Sequence, residues 1–153
     1  MPIMNYTTDI AVSKTMAGIQ AALARRGVRS ISALYDDDGA PAGLAFTMKT
    51  DYGFRDFELP VRTDGVLAAM QNDPKVPRAK CTREQAARVA WRIAEDWLKA
   101  QAALIDASLA SLDEVMLPYM VTRYDGDRAL TVYGAFREQQ LALTDHTNGG
   151  RDE

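Results

Sequence analysis

The sequence predicts an α+β fold: a small antiparallel β-meander of three to four strands, packed against a long C-terminal helix plus shorter helices. Three observations lead there. Between Val28 and Val61 three apolar-alternating runs are separated by tight-turn residues. From Thr82 to Ala110 there is neither Gly nor Pro, and apolar residues recur at helical period. A sheet of three or four strands with one apolar face is not stable alone in water, so a helix must cover it.

The elements follow in order. Tyr6 to Val12 alternates loosely and reads as a short strand. Ser13 reads as an N-cap, and Met16, Ile19, Gln20 and Leu23 mark one face of a helix ending near Arg26, with Gly27 in the C′ position. Val28 to Tyr35 is the first meander strand, and Asp36-Asp37-Asp38-Gly39 is a turn. Ala42 to Thr50 is the second strand, with Leu44, Phe46 and Met48 on one face. Asp51-Tyr52-Gly53 turns the chain into Phe54 to Val61, where Pro60 marks a strand end or a sheet edge. Thr63 or Asp64 opens a short helix carrying Val66, Leu67 and Met70. Asn72 to Lys80, with two prolines, is a loop. Thr82 and Gln85 have capping-box spacing at the head of the long helix, which at 1.5 Å per residue spans roughly 40 Å. Ser111 and Glu114 repeat that spacing before a short helix that Pro118 ends or bends. Asp125-Gly126-Asp127 is a turn, and Leu130 to Leu143 forms a last helix. The expected organisation is one domain over residues 1–146 and a disordered tail over 147–153.

Composition narrows the function. A net charge of −3 makes binding to duplex nucleic acid an unexpected role. No apolar run nears the ~20 residues of a membrane helix, so no membrane partner is expected. The single Cys81 excludes an intrachain disulfide and fits a reducing cytoplasm. With one His, at position 146, most Ser–His, Cys–His and His–metal arrangements are removed. No catalytic set, metal site or cofactor is expected.

Several clusters have a plainer reading. Asp36, Asp37 and Asp38 lack the alternation and distal Glu of a calcium loop, and read as a turn. Adjacent carboxylates at Glu95–Asp96 and Asp113–Glu114 diverge by about 100° on a helix, which suits no acid–base pair. Arg92–Asp96 and Glu95–Lys99, four apart, read as a salt-bridged face. Cys81 adjoins Lys80 and Arg83, which would favour its thiolate, but a structural cysteine is the simpler expectation.

The basic residues are more informative. Arg78, Lys80 and Arg83 lead into the start of the long helix, and Arg88 and Arg92 follow one turn apart beside Trp91. Guanidinium forks, a helix start and a ring suit a small anionic ligand containing a base, and Tyr119 is a further stacking candidate. The competing reading is that Arg88 and Arg92 pair with nearby acids while their stems cover apolar surface. The long helix also carries two apolar stripes, Trp91–Leu98–Ile105–Leu112 and Val89–Ile93–Trp97–Leu104. One can meet the sheet; the other predicts a homo-oligomer, a dimer or higher.

Motifs over Tyr6 to Tyr119 resemble a family of small phage and prophage proteins. They are Tyr6-Thr7-Thr8, Phe57-Glu58-Leu59-Pro60, the basic loop running into REQAARVAWRIAEDWLKAQ (Arg83 to Gln101), and Leu117-Pro118-Tyr119. The chain is similar to the phage anti-Thoeris sponge proteins. That resemblance implies an anti-defence protein in the cytoplasm of an infected or lysogenic bacterium. It would bind a cyclic ADP-ribose isomer made by a TIR-domain enzyme, in some members also cyclic oligonucleotides at separate sites, without cleaving either. It also implies dimers that assemble further, with ligand pockets between subunits. The ligand residues named above rest on their chemistry and are not carried over from the family. The alternatives are a protein–protein inhibitor of a host defence complex, of the anti-CRISPR kind, and a phage DNA-metabolism accessory. An enzyme ranks below these.

Overall fold

The structure, a computed structural model, describes residues 3–148. Its elements are α1 (Val12–Ala24), β1 (Val28–Tyr35), β2 (Pro41–Thr50), β3 (Gly53–Pro60), α2 (Thr63–Asn72), α3 (Arg83–Asp106), α4 (Leu112–Val115), β4 (Val121–Asp125), β5 (Arg128–Thr131) and α5 (Val132–Asn148). Single 3-10 turns sit at Arg78–Lys80 and Leu117–Tyr119. The α+β reading holds, with the strands divided between two sheets.

β1, β2 and β3 form an antiparallel meander in sequence order. Its register places Ile31 beside Phe46 and Phe46 beside Phe57, with Ala33, Leu44 and Leu59 in the next row. Phe46 and Phe57 stack at 5.1 Å with nearly parallel rings. Successive residues point to opposite faces, so this row is apolar while Ser30, Ser32, Thr47 and Asp56 occupy the other face. Pro60 closes β3 on the sheet edge, where its missing N–H costs no ladder bond. Gly43 opposes Pro60, and a Cβ there would meet Leu59 O at 2.5 Å, so the close approach of β2 to β3 requires glycine.

The apolar face is covered by two helices. Ile19 and Leu23 of α1 and Trp91 and Leu98 of α3 join Leu44, Phe46, Phe57 and Leu59 in one core. A second core, Met70, Val76, Ala86 and Val89, lies between α2 and the start of α3. α3 is therefore wrapped on two sides by its own chain. Of its two apolar stripes, Trp91, Leu98 and Leu112 are buried in the first core and Val89 in the second, while Ile93 and Trp97 are half-buried. Leu104 is exposed. The stripe from which the oligomer was expected is thus buried within one chain only at Val89. Exposed apolar side chains also occur on α5, where Phe136, Leu141 and Leu143 are each more than half exposed.

Local expectations fail where tertiary contacts take over. Tyr6 to Val12 is not a strand. It crosses α3 as an irregular strap whose Tyr6 and Thr8 carbonyls accept from Gln85 Nε2 at 2.9 and 2.7 Å. The buried side-chain amide replaces a sheet partner. Asn5 ties the same strap to Asp96 at 2.8 Å. α1 starts at Val12, ahead of the expected cap Ser13, with Ala11 at the N-cap and no side-chain cap bond. It ends at Ala24 rather than near Arg26, and Gly27 turns the chain with φ +91°. α3 has 24 residues, about 36 Å, and stops at Asp106 rather than Ala110. Thr82 caps it through Gln85 N, and the Ser111–Glu114 capping box is complete.

The sequence reading missed β4 and β5. They form a hairpin around Gly126 and Asp127, and a single bridge from Phe57 to Met120 lays it beside β3. Leu130 and Thr131 thus end a strand, and α5 begins at Val132 with Gly134 N donating to Thr131 Oγ1. α5 carries the chain through Thr147 and Asn148, the first two residues of the expected tail. Residues 149–153 of that tail lie outside the described residues.

Candidate functional site

The seven residues singled out from the sequence do not form one site. Trp91 is fully buried, with Nε1 donating to Pro41 O at 3.4 Å. It fills the space between α3 and the sheet and offers no face to a ligand. Arg92 lies 3.8 Å from both Glu95 and Asp96, the paired-acid reading. Glu95, buried at 9% exposure, also takes Lys99 at 2.7 Å. Arg78 and Lys80 stand on the 3-10 turn before α3, Arg78 exposed and Lys80 half-buried, and neither lines the three concavities described below.

Arg83 and Arg88 do come together, on a concavity of about 370 Å³. Arg83 is committed there to Asp64, with both terminal nitrogens 2.8 Å from one carboxylate oxygen. Asp36, Asp38 and Glu84 share the lining, so its carboxylates outnumber its guanidiniums. Asp36 Oδ1 accepts the N–H groups of Asp38 and Ala40, the hydrogen bonds of a turn.

Tyr119 belongs to a different place. Two adjoining concavities, of about 570 and 300 Å³, share Pro60, Arg62 and Tyr119. The first continues along Glu58, Pro118 and Tyr133, the second along Val66, Ile93 and Trp97. Each feature has a local cause. Pro60 ends β3, and Arg62 is the N-cap of α2, so the strand-to-helix junction lifts its side chain to the surface. The Leu117–Tyr119 turn sets Tyr119 edge-on to Trp97, with centroids 6.2 Å apart and planes at 85°. Tyr133 is in the first turn of α5. Arg62 makes no ion pair among the described residues.

Arg62, a cation without a bonded acid, and Tyr119 thus stand where two concavities adjoin, one walled by Tyr133 and Glu58 and the other by Trp97. An anion can be held by the guanidinium fork while a ring packs on the aromatic walls. Arg62, Trp97 and Tyr133 were not selected from the sequence. Arg62 had one readable signal, its place between the strand-ending FELPV and the start of a helix. Tyr133 had none, because the hairpin that delivers it was not foreseen.

The other paired acids serve the fold. Asp113 is held below the usual carboxylate range by the Ser111 hydroxyl and then by the Tyr52 phenol, which donates to it at 2.9 Å. Tyr124 is raised by burial and by donating to Asp56, at 2.9 Å. Comparison of the chain with models of protein families, with curated proteins and with solved structures finds no match. No helix among the described residues is long and apolar enough to cross a membrane.

Proposed function

We propose that this protein binds and sequesters a small anionic, base-containing ligand in the groove around Arg62 and Tyr119, and leaves it chemically unchanged. The ligand class suggested by the sequence resemblance is a cyclic nucleotide immune signal, foremost a cyclic ADP-ribose isomer, with cyclic oligonucleotides as a further possibility. The protein would then be a phage anti-defence factor acting in the bacterial cytoplasm. One observation carries the reading: Arg62, without a bonded acid, and Tyr119 line two adjoining concavities, with Tyr133 in one and Trp97 in the other. The site differs from the one expected on Arg78, Lys80, Arg83, Arg88 and Arg92. The concavity at Arg83 and Arg88 carries too much carboxylate to suit a polyanion.

Calorimetry and thermal shift with cyclic ADP-ribose isomers test this. Ligand at a hundred times its Kd adds about 2.7 kcal/mol, or roughly 5–10 °C of melting temperature for a domain of this size. Arg62→Ala should weaken binding by about tenfold or more, the worth of a charged hydrogen-bonding partner. Ligand recovered intact after heat denaturation separates sequestration from turnover. Unchanged melting with every cyclic nucleotide tried would refute the reading.

A second reading, binding to a protein partner, is favoured by α5, whose Phe136, Leu141 and Leu143 have no cover. The candidate partners are a second copy, as the homo-oligomer expectation has it, and a host defence complex. Light scattering on the pure protein and co-purification from host lysate distinguish the two.

A further inference from the structure

The concavity at the head of α3 shares no lining residue with the groove around Arg62, and its chemistry is different. Its walls include Ala11, Val12, Ala40 and Ala87. Two of its charged groups are already occupied, Arg83 by Asp64 and Asp36 by its own turn. Arg88, Glu84 and Asp38 remain, and none makes an ion pair among the described residues.

Glu84 precedes Arg88 by one helical turn, the order in which such residues normally pair. They do not pair here. Arg88 donates instead to Gln85 Oε1 at 3.0 Å. Gln85 is buried and anchored by the Tyr6 and Thr8 carbonyls, so the guanidinium is held aside from Glu84. A cation and an anion are thus kept unneutralised, roughly 6 Å apart at Cβ, on the wall of a partly apolar cavity.

We propose that this cavity binds a zwitterion, an α-amino acid with an apolar side chain. Its carboxylate meets Arg88, its ammonium meets Glu84 with Asp38 close by, and its side chain lies against Val12, Ala40 and Ala87. A phosphate would face two free carboxylates, and a simple amine would face Arg88.

The test is calorimetry on the full chain with leucine and phenylalanine, beside N-acetyl-leucine and leucinamide, which each lack one charge. The free amino acids should bind, and each blocked analogue should bind about tenfold more weakly or worse. Glu84→Gln should bring leucine down to the affinity of N-acetyl-leucine and leave N-acetyl-leucine itself unchanged. Arg88→Met should abolish binding of both, with circular dichroism confirming an intact fold. Arg62→Ala should leave amino-acid binding as it was, so this proposal and the nucleotide reading stand or fall separately. No heat with either free amino acid, equal affinity for the blocked analogues, or undiminished binding by Arg88→Met would each overturn it.

Discussion

Replacing Trp91 separates a core role from a ligand-stacking role, because burial predicts a large effect on stability and none on a surface site. A Trp side chain buries roughly 200 Å², and at about 25 cal/mol per Å² full removal forfeits about 5 kcal/mol. Core Trp→Ala changes cost about 3–5 kcal/mol, comparable to the whole stability of many domains. Trp91→Ala should therefore leave the protein barely folded or unfolded. Trp91→Phe is the informative variant. It keeps a ring between α3 and the sheet and loses the indole's second ring and its 3.4 Å bond to Pro41 O, which is long enough to contribute little. The expected cost is about 1–2 kcal/mol, or roughly 2–8 °C in melting temperature. Urea denaturation followed by far-UV circular dichroism should show a lower midpoint at an unchanged slope. Calorimetry on the folded variant should show unaltered ligand affinity. A Trp91→Phe protein as stable as the parent but unable to bind ligand would refute the packing argument and restore Trp91 as a contact.

Three further outcomes follow from the same packing. Gly43→Ala forces a Cβ against Leu59 O, and should cost about 1–3 kcal/mol and loosen the β2–β3 pairing, read by hydrogen exchange of the β3 amides. Gln85→Ala strands the Tyr6 and Thr8 carbonyls; it should cost about 1–3 kcal/mol and expose the strap before α1 to limited proteolysis, whereas Glu84→Ala should do neither. Asp113 has a depressed pKa in the folded state, so its contribution to stability is complete above the unfolded-state value and is lost as pH falls below about 4. Asp113→Asn should lower stability at neutral pH and flatten its decline on acidification, measured as urea midpoints across pH.

The meander was legible in the sequence because period-2 alternation and short turns are local. Leu44, Phe46 and Met48 fall on one face whatever covers it, and Gly39 and Gly53 take positive φ where turn chemistry asks for it. The capping residues Thr82 and Ser111 were legible for the same reason, since each acts on backbone groups three residues away. The strap was misread because its alternation resembles a strand, while its partner is a glutamine 79 residues from Tyr6. The last hairpin was missed because β4 and β5 are only five and four residues long, and β4 is exposed over all but Val121.

Composition and periodicity by themselves determined an α+β fold, a long central helix and a three-strand meander. Tertiary structure alone decided which charges stay free. Arg92 and Arg83 look equivalent to Arg62 and Arg88 in the sequence, yet the first two meet acids and the latter two do not. The reason is that a guanidinium's partner depends on where the fold holds it: Arg83 reaches Asp64, whereas Gln85, fixed by the Tyr6 and Thr8 carbonyls, keeps Arg88 aside from Glu84. Trp91 and Trp97 differ likewise: six positions apart on one helix, one faces the sheet and the other the groove.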